Sequence, residues 1–285
     1  MALYRTTPTA RGMQWLKAAI DMVDRNPRGL LMVSLTFIII GQLPSLFGSL
    51  QPLAALLMFV VLMLGPAFAG GLMHAIAEAE GGRPVSLGQL FEAFRRPGRL
   101  LPMLVLGMLT VLALLLLVFA AERVLGADNI ALLVKIGSQQ LQPDQATMEH
   151  LAPPLLRFLM LAVVIAFVLF TGLFFAVPRV LFDGRPPLAA FVESFAACAA
   201  NVLPLTVYGL AFVALMFVAV LVFAVLSLVL GLLGKLGAAL GFMLYLAWLT
   251  FVVLVSTSGN YLAWRDVFGH TQTEPGAPYH TGIEA

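Results

Sequence analysis

The stretch LPMLVLGMLTVLALLLLVFA, residues 101–120, contains no charged side chain and is long enough to cross a lipid bilayer. A spanning helix needs about 20 mainly apolar residues to cross roughly 30 Å of hydrocarbon. Including this stretch, six windows of the 285-residue chain meet that requirement: 30–47, 53–76, 100–121, 155–177, 206–230 and 238–263. We therefore predict an all-α polytopic membrane protein with about six transmembrane helices in three hairpins.

The composition of the whole chain agrees with this prediction. Hydrophobic residues make up 61% of the chain and charged residues 11%, against about 45–50% and about 25% in a soluble domain. The net charge is only +2, so we expect no nucleic-acid partner, because such binding needs a strongly basic surface. Cys198 is the single cysteine and excludes an intrachain disulfide framework.

The fifth apolar window is the hardest to assign from the sequence. Its apolar run covers residues 202–233, which is too long for one perpendicular crossing, and Pro204 lies near its start. The preferred interpretation is a tilted helix that follows a break in the chain. A five-span chain with a re-entrant segment is the alternative.

Lys and Arg are distributed unequally between the two sides of the six spans. The side that includes both termini has twelve of them: Arg5, Arg11, Lys17, Arg25, Arg28, Arg83, Arg95, Arg96, Arg99, Arg179, Arg185 and Arg265. The opposite side has four: Arg123, Lys135, Arg157 and Lys235. Because basic loops stay in the cytoplasm, we expect a multi-pass protein of the bacterial inner membrane with both termini cytoplasmic. Residues 1–28 lack a continuous apolar stretch and are not expected to form a cleavable secretory signal.

Short amphipathic segments precede the hairpins. Ser86 and Gln89 have the spacing of a capping box, and apolar residues then follow at helical spacing: Leu87, Leu90, Phe91 and Phe94. The same spacing recurs at a second place: Leu188, Phe191, Val192 and Phe195. A weaker copy lies near the N-terminus: Trp15, Ala18, Ala19 and Met22. Helices of this kind lie in the membrane interface, so each hairpin is predicted to follow a short interfacial helix.

The matches between these segments indicate an internal repeat. Gly82-Arg83-Pro84 corresponds to Gly184-Arg185-Pro186, and Leu101-Pro102 corresponds to Leu203-Pro204. We predict three parallel repeat units, at about residues 11–76, 82–177 and 184–263. They form a single integral membrane domain, residues 1–265, and residues 266–285 are expected to form a flexible cytoplasmic tail.

Three short stretches carry a family resemblance. Residues 15–27, which end in Arg25-Asn26-Pro27, together with Gly82-Arg83-Pro84 and Phe91-Glu92-Ala93-Phe94, resemble a group of uncharacterised proteobacterial integral membrane proteins of similar length. The repeated short helix and hairpin are distantly similar to the membrane domain of some glycerophosphodiester phosphodiesterases. No segment here matches their catalytic domain, so the resemblance implies architecture and no active residue.

Residue types that carry chemistry are scarce. His74 and Glu78 share a helix face at i, i+4, but a metal site needs further ligands, and we expect neither metal nor cofactor. Glu92 and Glu193 occupy equivalent places in two repeat units, and each is expected to mark the polar face of its helix, with Glu92 paired to Arg96. The chain has no nucleophile motif or phosphate loop, so it is not expected to be an enzyme.

Two groups of residues are candidates for binding. Three arginines beside the second short helix are expected to contact anionic lipid: Arg95, Arg96 and Arg99. Small and polar residues of the second and sixth spans are candidates for lining a pathway: Gly70, Gly71, Ser256, Ser258 and Asn260. Small residues also let helices pack closely, and packing is the preferred interpretation of this second group.

Three functions are consistent with these features. The first is a non-enzymatic protein that organises or stabilises a membrane complex or a lipid region, with membrane lipids, another membrane protein or a second copy of itself as partner. The second is a permease or channel-like transporter of a small or amphipathic solute. The third and least favoured is a lipid-acting enzyme that uses Glu92 and Glu193 as acid and base.

Overall fold

The computed structural model describes residues 4–48 and 50–269, so residues 270–285 of the predicted tail, with His270 and His280, lie outside it. Within the described residues, six helices are long and apolar enough to cross a membrane: α2 (Pro27–Leu46), α3 (Gln51–Glu80), α5 (Leu100–Val124), α7 (Gln145–Leu181), α9 (Val202–Gly231) and α10 (Gly234–Val267). The predicted all-α polytopic fold is confirmed.

Shorter helices lie between or before these spans: α1 (Arg11–Arg25), a 3-10 helix (Leu87–Phe91), α4 (Glu92–Arg95), α6 (Ala127–Gly137) and α8 (Pro187–Ala200). Short helices thus occupy all three of the predicted positions. The second segment was predicted as one regular helix, but its first turn is a 3-10 helix that continues into a single α turn. Part of the predicted capping box forms there, since the Ser86 N–H donates to Gln89 Oε1 at 2.9 Å.

The fifth apolar run is one continuous span with a break before it. Asn201 separates α8 from α9 with a non-helical backbone at φ −118° and ψ 27°. Pro204 is the third residue of α9, a place in the first turn where its missing N–H removes no helical hydrogen bond. The predicted break is confirmed, and α9 runs unbroken to Gly231.

The fourth span is longer than predicted. The sequence placed its start at residue 155, after Pro153 and Pro154, but α7 begins at Gln145. Asp144 caps this helix, because its side chain accepts a hydrogen bond from the Thr147 N–H at 2.8 Å. A polar N-cap satisfies an otherwise free donor of the first turn, and this helix accommodates both prolines in its interior.

The described chain divides into two compact units. The larger unit is Arg28–Phe195, and its core joins α3, α5 and α7 around Met73, Met103, Leu106, Val180 and Leu181. Ala93 of α4 and Ala190 of α8 belong to the same core. Tight packing in this unit is therefore concentrated at the helix ends that carry the short helices.

The smaller unit combines the described parts of Met1–Pro27 and Ala196–Ala285. Here α1 packs against α9 and α10. Trp15, Ala19 and Met22 of α1 are buried, as are Leu254 and Leu262 of α10. The apolar face predicted for α1 is thus covered by protein.

Elsewhere the spans present large apolar side chains at their surface. Phe170 of α7 is 67% exposed, and Leu228 of α9 is 76% exposed. In water such surfaces would drive aggregation, whereas in a bilayer they contact acyl chains. This exposed surface is consistent with the multi-pass membrane fold.

Candidate functional site at the short-helix ends

The first polar cluster joins α3 to α4. His74 Nε2 lies 3.7 Å from Glu92 Oε2, and Arg96 Nε donates to Glu92 Oε1 at 2.6 Å. The expected pairing of Glu92 with Arg96 is confirmed. The i, i+4 spacing of His74 and Glu78 allowed a contact between them, but Glu78 pairs with Arg83 instead. It accepts two hydrogen bonds from Arg83, at 2.6 and 2.7 Å. Glu92 therefore lies between the short helix and the end of a span.

The second cluster joins α7 to α8. Arg179 is largely buried and donates to Asp183 Oδ2 at 2.5 Å and to Glu193 Oε2 at 2.7 Å. Arg185 also donates to Glu193. Burial alone would raise the pKa of Glu193, but the hydrogen bonds from Arg185 and Arg179 outweigh it, so that pKa lies below its usual range. Glu193 is consequently a carboxylate at neutral pH.

The third cluster joins α10 to α1. Asp266 accepts hydrogen bonds from Arg11 Nε at 2.8 Å and from Trp15 Nε1 at 2.7 Å. No sequence pattern predicted this contact, because the partners are about 250 residues apart and belong to no local motif. In all three clusters a carboxylate lies where a short helix meets a spanning helix, which is α3, α7 or α10.

Asn201 fastens the N-terminal segment within the smaller unit. Its fully buried side chain accepts hydrogen bonds from the Thr7 N–H at 2.8 Å and the Thr7 hydroxyl at 3.0 Å. It also donates to the carbonyl oxygens of Arg5 and Ala197, at 2.9 and 3.0 Å. The same residue thus ends α8, begins α9 and holds the segment before α1.

Glycines allow the short helices to approach the spans closely. A Cβ at Gly71 of α3 would overlap the backbone carbonyl of Leu90, and a Cβ at Gly172 of α7 would overlap the ring of Phe191. Leu90 is fully buried by this contact. Of the apolar face predicted to meet lipid, Leu87, Phe91 and Phe94 are exposed, whereas Leu90 is not.

The three arginines predicted to contact lipid have different surroundings. Arg96 is engaged by Glu92 at 2.6 Å. The Arg95 guanidinium lies over Gly88, and that of Arg99 lies over Gly184 in the turn between α7 and α8. The Nε of Arg99 is shielded from solvent and has no hydrogen-bond partner among the described residues.

The residues proposed to line a pathway lie mostly in packed positions. Gly70 and Gly71 are buried in α3, where the side chains of Leu181 and Met103 lie next to Gly70. Ser258 is buried in α10, and Ser256 Oγ donates to the Val253 carbonyl at 3.1 Å. The Ser258 hydroxyl and the Asn260 Oδ1 have no hydrogen-bond partner within the described chain. Most of these contacts favour the packing interpretation.

The remaining candidate chemistry is limited. No group of three or more metal-ligating side chains is found among residues 4–48 and 50–269. Glu92 and Glu193 each have basic partners of their own, His74 and Arg96 for the first and Arg179 and Arg185 for the second. Each carboxylate is therefore engaged by the basic side chains of its own cluster.

Comparison with known proteins returns no match to a protein family, a curated protein or a solved structure. The resemblance drawn from the short motifs thus stays a prediction.

Proposed function

We propose that this protein is a non-enzymatic component of the bacterial inner membrane that organises anionic lipid around its short helices. The observation that carries the proposal is the placement of charge. Ionisable side chains gather at the ends of the spans, where Asp266 and Glu193 join short helices to spanning helices. The apolar centres contain no Asp, Glu, Lys or Arg, although coupled transport usually depends on such groups within the membrane.

Exposed apolar residues on two short helices support a position at the lipid interface. Phe91 and Phe94 are partly exposed beside Arg95, and Leu188 and Val192 of α8 are exposed. An amphipathic helix with such residues buries its apolar face about 5–10 Å into the boundary between headgroups and acyl chains. Glu92 and Glu193 would then fix the angle at which each helix meets the lipid.

Similar local geometry in two segments supports an internal repeat. Gly82 and Gly184 both have left-handed backbones, at φ +68° and +69°. Pro102 is the third residue of α5, as Pro204 is of α9. We infer that the same unit of short helix and hairpin was used more than once.

The proposal places the short helices and both termini on the cytoplasmic side, as the excess of Lys and Arg indicates. An alkaline phosphatase fused after residue 285 is expected to be inactive in cells, and one fused in the turn after Gly231 is expected to be active. Activity of the C-terminal fusion would contradict this orientation.

Anionic lipid retention tests the function itself. The purified protein is expected to retain more phosphatidylglycerol than phosphatidylcholine from an equimolar mixture, as measured by native mass spectrometry. Replacing Arg95, Arg96 and Arg99 together with Gln is expected to reduce that preference, because each basic group near the surface contributes about 1 kcal/mol. A triple replacement of Arg123, Lys135 and Arg157 is the matched control. Equal retention of both lipids by the unmodified protein would overturn the proposal.

A solute permease is the second candidate, and the unpartnered oxygens of Ser258 and Asn260 favour it. Buried polar atoms normally have hydrogen-bond partners, and a bound solute or water would supply them. Vesicles that contain the protein would then release trapped glycerol faster than empty vesicles. A Ser258→Ala variant would lose that excess rate, whereas an equal rate from protein-containing and empty vesicles would exclude glycerol permeation.

A further inference from the structure

An apolar groove lies between two spans of the larger unit. Its volume is about 280 Å³, and it is lined by Leu109, Leu112 and Leu116 of α5, Val164 and Val168 of α7, and Phe191 of α8. Leu112 and Val164 are more than half exposed, so the groove opens on the outer surface of the helices. Phe191, which packs on Gly172, closes its end nearest the short helices.

Two uncompensated cations lie at the short-helix end of the same helices. Arg83, Arg96, Arg179 and Arg185 each pair with a carboxylate. Arg95 and Arg99 have no carboxylate within ion-pair distance among the described residues. Arg99 precedes α5 and reaches across to Gly184, so its charge lies where α5 meets the turn between α7 and α8.

The distance from Arg99 to the groove matches the distance from the phosphate of a phospholipid to its acyl chains. Ten residues separate Arg99 from Leu109, which is about 15 Å along a helix. One leaflet has about 15 Å of hydrocarbon beneath roughly 6 Å of headgroup. A lipid whose phosphate contacts Arg99 therefore has its acyl chain at the depth of the groove.

We propose that an anionic phospholipid binds along α5 and α7, with its phosphate at Arg99 and one acyl chain in the groove that Phe191 closes. The Arg99 guanidinium, whose charge no carboxylate balances among the described residues, supplies donors for a phosphate oxygen, and a charge-assisted hydrogen bond of this kind is stronger than a neutral one. This site rests on the proposed function, because it gives the anionic lipid of that function a defined place on the protein.

Three variants separate headgroup recognition from acyl-chain recognition. Arg99→Gln removes the charge, and Ala113→Trp fills the groove. Leu112→Trp is a second groove variant at a position exposed enough to accept the larger ring. Val213→Trp, at an exposed position of α9, controls for an added indole, and Arg123→Gln controls for loss of one charge. Each purified full-length variant is incubated with equimolar phosphatidylglycerol and phosphatidylcholine, and its bound lipid is measured by native mass spectrometry.

Arg99→Gln is expected to lower the ratio of bound phosphatidylglycerol to phosphatidylcholine about fivefold, the effect of one surface charge. The groove variants are expected to lower the binding of both lipids without changing their ratio. A preference for phosphatidylglycerol that survives all three variants would overturn this site and leave the proposed function standing. Absence of any preference in the unmodified protein would overturn both.

Discussion

Glu193 of α8 accepts a hydrogen bond from Arg179 of α7 at 2.7 Å, with both side chains about nine-tenths buried. The short helix is therefore joined to the end of the span by a shielded ion pair. At two other short helices, Glu92 lies 3.7 Å from His74, and the more exposed Arg11 pairs with Asp266 at 2.8 Å. Carboxylates thus determine how the short helices are held.

Removing the Glu193 carboxylate of this shielded pair is expected to destabilise the protein. Glu193→Gln leaves Arg179 without its partner on α8, and breaking a buried ion pair costs about 3 kcal/mol. Thermal unfolding in detergent measures this loss as a lower midpoint. Glu122→Gln is the matched control, because Glu122 is exposed, and its midpoint is expected to stay unchanged. Equal midpoints for the two variants would contradict a stabilising role for the pair.

The Arg179–Glu193 pair also predicts that the stability of the protein depends on pH. The pKa of Glu193 is lowered in the folded protein, so the unfolded chain takes up the proton at higher pH than the folded protein does. The stabilisation is therefore complete above the ordinary glutamate pKa of about 4.3 and is lost as the pH falls through the lowered folded value. The difference in midpoint between the protein and Glu193→Gln is expected to shrink below about pH 4. A difference that stays constant with pH would contradict an ionised Glu193.

Close packing of the short helix on α3 depends on Gly71. Gly71→Ala places a methyl group against the Leu90 carbonyl, and overpacking of this kind costs about 2 kcal/mol. Gly65→Ala in the same helix is the control, because a Cβ there meets nothing within 4 Å. The first variant is expected to lower the thermal midpoint, while the second leaves it equal or slightly higher. The reverse order would refute the packing assignment.

Loss of the Asn201 side chain is expected to release the N-terminal segment. Asn201→Ala removes the hydrogen bonds to Thr7 and to the Arg5 carbonyl, each of which contributes about 1 kcal/mol. Trypsin is expected to cleave after Arg5 faster in this variant. Asn129→Ala is the control, since the Asn129 side chain bonds the Leu125 carbonyl in its own helix turn. Unchanged cleavage in Asn201→Ala would show that other contacts hold the segment.

The sequence predicted most of the fold but only part of the site. The length of each apolar run identified the spans. A helix needs about 20 mainly apolar residues to cross a membrane, and a run of that length is visible in the sequence. The start of α7 was missed because Pro153 and Pro154 suggested a boundary, whereas the Asp144 cap lies ten residues earlier. Pairs such as Glu92 with Arg96 are visible at i+4, but Arg11 with Asp266 is created by tertiary packing alone.

Gly71 illustrates the same limit. The sequence offered it both as a pathway residue and as a packing residue, and only the position of the Leu90 carbonyl distinguishes these uses. The contact with Leu90 also explains why one member of a regular apolar face is hidden from lipid. Periodicity describes a helix face without saying what covers it.

The depth of α8 in a bilayer tests most directly whether the short helices organise the lipid interface. A nitroxide is attached to Val192→Cys in a Cys198→Ala background, and its depth in phosphatidylglycerol vesicles is measured from relaxation by oxygen and by a water-soluble nickel chelate. Labels at Gln140 and Phe217 give the aqueous and membrane references. The expected depth is about 5–10 Å below the headgroup boundary. Accessibility to nickel equal to that at Gln140 would contradict an interfacial position and, with it, the proposed lipid-organising role.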